Sequence, residues 1–246
     1  MSGHSKFHNI AKKKGAADSQ RAVLFAKFGK SISVAARSGG SDPAFNFALR
    51  VAIDQAKSVN MPKDNIDRAI KRGSGDDGAG QIDEVIYEGF GPGGSALLIK
   101  SLTDNRNRSI SDVRTAVNKN GGTMGAQGSV MWMFEKKGVV EIEGISGKGL
   151  GAREEFELAA IDAGADDIME DDGFLQVICP PDRLKKVLDA IEGLGIKVEG
   201  AGIEYCAKEL VTIEDAEARM QFEKLMEVLD EQEDVDTVYT NVRQCI

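Results

Sequence analysis

The side chains with a ligating or reactive repertoire crowd into the start of the chain. Gly3-His4-Ser5-Lys6-Phe7-His8-Asn9-Ile10-Ala11-Lys12-Lys13-Lys14-Gly15 holds both histidines of the protein, four lysines and no acid. Lysine ammonium groups meet phosphates as point charges, and their binding displaces condensed counterions. His4, Phe7 and His8 add flat rings that can stack on exposed bases. The His4/His8 spacing would align two imidazoles on a helix, as in metal sites. No third ligand accompanies them, and Lys6 and Lys12 would repel a cation, so no metal is expected. The competing reading of the arm is a solvated charge run at a chain end.

No other chemistry-bearing pattern matches this run. Cys179, Cys206 and Cys245 are odd in number, widely spaced and free of CxxC. That suits a reducing compartment and argues against a disulfide framework or structural zinc. Gly89-Phe90-Gly91-Pro92-Gly93-Gly94 formally matches GxGxxG, but a dinucleotide loop must open a helix, and here a second strand follows. The acidic run from Asp166 to Gly173 lacks EF-hand spacing and reads as a solvated turn. No base sits beside a nucleophile and no carboxylate pair is evident, so catalysis is disfavoured and no cofactor is expected.

The elements that must position the arm share its charge. Residues 1–75 carry a net charge of +9, whereas residues 76–246 carry −18. A positive head on an acidic body points to a polyanionic partner. Ala16 to Arg37 reads as a helix with Leu24, Phe25, Phe28, Ile32 and Ala35 along one face. Arg21 and Lys27 fall mostly off that stripe. Asp42 and Pro43 are read as the cap and first turn of a second helix, which buries Phe45, Leu49, Ala52, Ile53 and Ala56. A third helix starts at Pro62 and is ended by Gly73. Ile66, Ala69 and Ile70 make its apolar face; Lys63, Arg68, Lys71 and Arg72 spread opposite. Asp64 with Arg68 and Asp67 with Lys71 stand at i,i+4 and are expected to pair. The candidate nucleic-acid contacts are therefore His4, Lys6, Phe7, His8, Lys12, Lys13, Lys14, Arg21, Lys27, Lys63, Arg68, Lys71 and Arg72.

The opening Gly-His-Ser-Lys-Phe-His-Asn-Ile, the run from Asn60 to Gly73 and Tyr87-Glu88-Gly89-Phe90-Gly91-Pro92-Gly93-Gly94 closely resemble the YebC family, and the resemblance runs essentially end to end. Phe7 stands where many members carry Trp. Bacterial members are described as probable transcriptional regulators, and mitochondrial relatives as translational activators. The resemblance implies a three-domain arrangement and a DNA or RNA partner. It also marks Thr103-Asp104-Asn105-Arg106-Asn107-Arg108 as a recurring motif, so Arg106 and Arg108 are candidates for a secondary contact.

Beyond a Gly-rich hinge at 74–80, the body reads as alternating strands and helices. Glu84 to Leu102 is a hairpin, and a helix runs from about Arg106 to Asn118. Val130 to Phe134 is taken as a strand, with Trp132 in the core. The expected fold is multidomain α+β: a basic three-helix bundle (1–75) and two small ferredoxin-like domains. One of these (129–208) is inserted in the other (81–128 and 209–246). No apolar run approaches the ~18 residues that span a bilayer, and no leader is recognisable, so a cytoplasmic protein is expected. The leading functional expectation is a non-enzymatic, nucleic-acid-binding regulator of gene expression acting on DNA. The alternative is a translation factor on ribosomal RNA, favoured by an acidic body and by the lack of a base-reading helix. A pure protein-interaction module ranks third.

Overall fold

The computed structural model describes residues 18–75, 80–143, 150–171 and 174–243. His4, Lys6, Phe7, His8, Lys12, Lys13, Lys14 and Cys245 lie outside these residues. Among the described residues, seven helices and eight strands divide into two compact units. One is Phe134–Cys206; the other joins the described residues up to Met133 with Ala207–Arg243.

The larger unit opens with three helices, α1 (Asp18–Gly39), α2 (Phe47–Ser58) and α3 (Lys63–Ser74). Their apolar faces share one core of Leu24, Phe28, Ile32, Leu49, Ile53, Ala56 and Ile66. Small residues let α1 and α3 approach closely. A Cβ on Gly73 would lie 2.3 Å from the Ser33 carbonyl oxygen, and the Ser33 hydroxyl donates to the Ala69 carbonyl at 2.8 Å. Gly73 is thus a contact residue inside α3. The helix ends one turn fraction later at Gly75, whose φ of 83° makes it the left-handed cap.

The start of α2 also differs from expectation. Asp42 caps only a turn, accepting from the Ala44 N–H. The helix cap is Asn46, whose Oδ1 accepts from the Leu49 N–H at 3.0 Å. Its Nδ2 donates to the carbonyls of Ala35 and Gly40. One buried amide therefore satisfies α2 and the end of α1 together. Phe45 precedes the helix and is 89% exposed rather than buried.

The same unit continues with β1 (Asp83–Phe90), β2 (Ala96–Thr103), α4 (Arg106–Lys119) and β3 (Thr123–Met124), and after residue 207 with α7 (Ala216–Asp230) and β8 (Val235–Thr240). The sheet order is β3-β1-β2-β8. The GxGxxG stretch turns β1 into β2, with Glu88 opposite Leu98. Helices α4 and α7 supply Val113, Val117, Phe222, Leu225 and Leu229 to a core beneath Leu97, Ile99 and Val238.

The other unit runs β4 (Phe134–Glu143), α5 (Leu150–Ala163), β5 (Asp167–Asp171), β6 (Phe174–Cys179), α6 (Leu184–Gly193) and β7 (Val198–Ala207). Its order, β5-β6-β4-β7, is that of the ferredoxin-like split βαβ. The larger unit has a tight β1–β2 hairpin where the split order needs a crossover helix, so consecutive strands sit side by side. The α+β class holds for both. The stretch expected to be an acidic turn is largely β5, paired antiparallel with β6 from Asp167↔Ile178 to Asp171↔Phe174. It is an edge strand, where charged side chains are at home.

The expected strand at 130–134 is a 3-10 turn over Met131–Met133, with Trp132 66% exposed instead of in the core. The cause is the buried Glu88. Its carboxylate accepts the N–H groups of Gly128, Val130 and Met131 at 2.6, 2.8 and 2.8 Å. Those donors serve a carboxylate and not a neighbouring strand. Burial alone would raise the Glu88 pKa, but the three N–H bonds outweigh it and hold it below the usual carboxylate value.

Candidate nucleic-acid interface

The positive charge of the three helices is divided between two tasks. One side of α1 is held against acids at the end of α7 and the start of β8. Lys27 donates to the Asp230 carbonyl and lies 3.4 Å from its carboxylate. It thereby satisfies an orphan carbonyl at the C-terminus of α7, where the helix dipole favours a cation. Lys30 reaches Asp234 Oδ1 at 2.6 Å and Glu233 Oε1 at 3.0 Å. Ser31 donates to Asp236. Lys27, expected among the nucleic-acid contacts, is instead only 8% exposed, and its ammonium is committed to Asp230. Part of the charge asymmetry in the sequence is therefore an internal joint.

Asp234 is the hub of that joint. Besides Lys30, it accepts from Arg108 Nη2 at 3.0 Å and from the Thr103 hydroxyl at 3.0 Å. Burial would raise its pKa, but hydrogen bonds from Lys30 and Arg108 prevail and lower it. The same acid, followed by Asp104, raises the pKa of Arg108. Arg106 lies 2.7 Å from Asp83 Oδ2. The two candidates for a secondary contact are thus both ion-paired, and α4 owes its start to the Asn105 cap, which accepts from the Arg108 N–H.

The other task is open to solvent. Lys63, Arg68 and Lys71 are exposed on α3, and none of them forms an ion pair among the described residues. The expected Asp64–Arg68 and Asp67–Lys71 pairs do not close, which leaves both cations available. Arg72 is half-buried; it donates to the Gly80 carbonyl at 3.1 Å and lies 3.4 Å from Asp104. Arg21 is exposed at the start of α1. Two residues were given no role by sequence reasoning. Arg50 is exposed and lies 5.5 Å over the Phe47 ring. Asn65, half-buried on the α1 side of α3, has a side-chain amide that makes no hydrogen bond among the described residues. Asn65 lies within the Asn60–Gly73 run, so the motif was visible although the residue's part in it was not.

Among the described residues no group of three or more His, Cys, Asp or Glu side chains is arranged to hold a metal, and no helix is long and apolar enough to cross a membrane. Burial pushes the Cys179 thiol up to about 11 and the Cys206 thiol up to about 12, with nearby acids adding to both. At neutral pH both are protonated and poor nucleophiles.

These features define a multidomain α+β chain with a cationic helical face on an acidic body. The family-model comparison is specific: residues 5–76 match the TACO1/YebC N-terminal domain, and residues 82–242 match the TACO1/YebC second and third domain. The chain belongs to the TACO1/YebC family. It is 46% identical to a probable transcriptional regulatory protein of Trichlorobacter lovleyi, over 98% of this chain and 95% of the relative. It is 43% identical to one of Fusobacterium nucleatum, with the same coverage. The crystal structure of a conserved hypothetical protein, Aq1575 of Aquifex aeolicus, superposes with a TM-score of 0.83 at 41% identity, covering 93% of each chain.

Proposed function

We propose that the protein is a non-enzymatic regulator of gene expression that binds nucleic acid through its helical head. The observation that carries this reading is the face of α3, where Lys63, Arg68 and Lys71 are exposed and free of ion pairs. The body arginines flagged by the sequence are instead held by Asp83, Asp104 and Asp234. Free surface cations gain by releasing phosphate counterions; paired ones must first give up a carboxylate. The names of the relatives support transcription and hence a DNA partner. The N-terminal lysines add to the positive charge of the same stretch of sequence, and the raised pKa values of Cys179 and Cys206 make those two thiols poor nucleophiles.

Ribosomal RNA is the second reading. It is favoured by the acidic body, which repels extended duplex beyond the head. Fluorescence anisotropy of the full chain with duplex DNA and with structured RNA, across a salt series, tests the shared reading. Salt-sensitive binding, weakened in the Lys12/Lys13/Lys14 triple-alanine variant, is expected. Unchanged affinity and slope in that variant would remove the arm from the mechanism. Sucrose-gradient fractionation of lysate separates the two partners: co-migration with the large ribosomal subunit selects translation, and recovery of discrete promoter fragments by crosslinking selects transcription.

A further inference from the structure

Between α1 and α3, beside their close contact at Ser33 and Gly73, lies a groove of about 500 Å³. We propose that this groove accepts one unpaired nucleotide of a nucleic acid, its base inside and its phosphate at the mouth. The proposal rests on the nucleic-acid reading of the head and names the form of polymer that the head selects.

The volume falls within the roughly 300–1,000 Å³ of small-ligand sites. The lining matches the parts of a nucleotide. Phe25 and Met61 offer apolar surface for a ring face, and Ala26 and Gly29 leave room beside them. Asn65 lines the same groove with an amide that offers both a donor and an acceptor, and neither is used among the described residues. A base edge presents the complementary pair. Arg68 lines the groove without an ion pair among the described residues and can hold a phosphate in charge-assisted hydrogen bonds, while Arg72, one helical turn on, lines it with its Nη2 turned to Gly80 and Asp104 and adds positive charge. Glu233 is the acid of the lining, and Lys30 compensates its charge at 3.0 Å. A base within a duplex cannot enter a slot between two helices, because its edge is paired and its faces are stacked. A bulged, looped or extruded nucleotide can.

The test uses the full chain and fluorescein-labelled RNA hairpins, one with a single-adenosine bulge and one fully paired, at one fixed salt concentration. DNA versions of both run in parallel. The bulged hairpin should bind about tenfold tighter, the effect of stacking one base on protein. Asn65→Ala and the groove-filling Ala26→Leu should each remove most of that preference while leaving affinity for the paired hairpin unchanged. Thermal melts verify that both variants are folded. A preference in RNA, in DNA or in both supports the groove and identifies the sugar it tolerates. Equal binding of bulged and paired hairpins by the unmodified protein overturns the proposal and leaves the phosphate-binding head standing. So does a bulge preference that survives in both variants. Competition by micromolar AMP with no preference between hairpins would assign the groove to a free nucleotide and overturn it too. Binding to none of these probes overturns the nucleic-acid reading itself.

Discussion

Lys30 Nζ lies 2.6 Å from Asp234 Oδ1, and each of the two side chains is 9% exposed. The pair joins α1 to the loop before β8, residues 204 apart in sequence. Removing one partner of a buried ion pair leaves the other charge without compensation, at a cost of about 3–5 kcal/mol. Asp234 keeps Arg108 and Thr103 when Lys30 is lost, so the lower end of that range applies. Lys30→Met should therefore lower the unfolding free energy by about 3 kcal/mol in urea titrations followed by circular dichroism. A loss below about 0.5 kcal/mol would show that the pair behaves as an exposed one.

Acid should undo the same joint. Asp234, Glu88 and Asp104 all have pKa values below the ordinary carboxylate range when folded. Their protons are harder to add in the native state than in the unfolded one. The stability they contribute is complete above the unfolded values near 4 and drains as pH falls through the lower folded values. Melting temperature should thus change little among these groups down to about pH 5 and fall steeply below about pH 4. Glu88→Gln should melt lower than the parent at pH 7, and the gap should narrow towards pH 3. A constant gap across that range would mean that the Glu88 charge is not what holds the 128–131 backbone.

Gly73 and Gly75 should respond oppositely to their surroundings. In an isolated helix Gly73→Ala would gain about 1 kcal/mol of helix propensity. Here the new Cβ would lie 2.3 Å from the Ser33 oxygen and 2.8 Å from the Ala36 Cβ, and such overpacking costs about 1–3 kcal/mol. The contact should win, because the obstructing atom is backbone and cannot swing aside. Gly75→Ala meets open space but must keep a φ of 83°, at about 1 kcal/mol. The crystal structure of Gly73→Ala should show α3 shifted from α1, whereas Gly75→Ala should show only a changed cap.

Much of the fold was legible because its signals are local. The stripes of α1 and α3, the helix that became α4 and the β1–β2 hairpin follow from periodicity and turn chemistry. Two of the failures share one cause, in that a polar side chain from elsewhere took over backbone groups. Asn46 outcompeted Asp42 for α2 by also reaching Ala35 and Gly40, and so left Phe45 outside. Glu88 captured three N–H groups and turned an apolar run into a 3-10 turn. The candidate site failed in the same way at Lys27, which looks like any outward lysine until Asp230 is placed beside it. Asn65 gave no signal at all, since a lone amide on a helix has no spacing to read.

Lys27 and the α3 cations provide the sharpest separation between a joint and an interface. Each cation that contacts phosphate on duplex DNA contributes about 0.9 to the slope of log affinity against log salt. Lys63→Ala, Arg68→Ala and Lys71→Ala should each lower the slope by about that amount. As exposed side chains without ion pairs, they should leave the melting temperature almost unchanged. Lys27→Ala should do the reverse. It removes the donor that satisfies the Asp230 carbonyl at the end of α7, so the melting temperature should fall while the slope measured on the folded fraction stays the same. If Lys27→Ala instead lowered the slope as much as Lys71→Ala, the α1–α7 joint would have to open on binding, and the head would be free to move when it meets its partner.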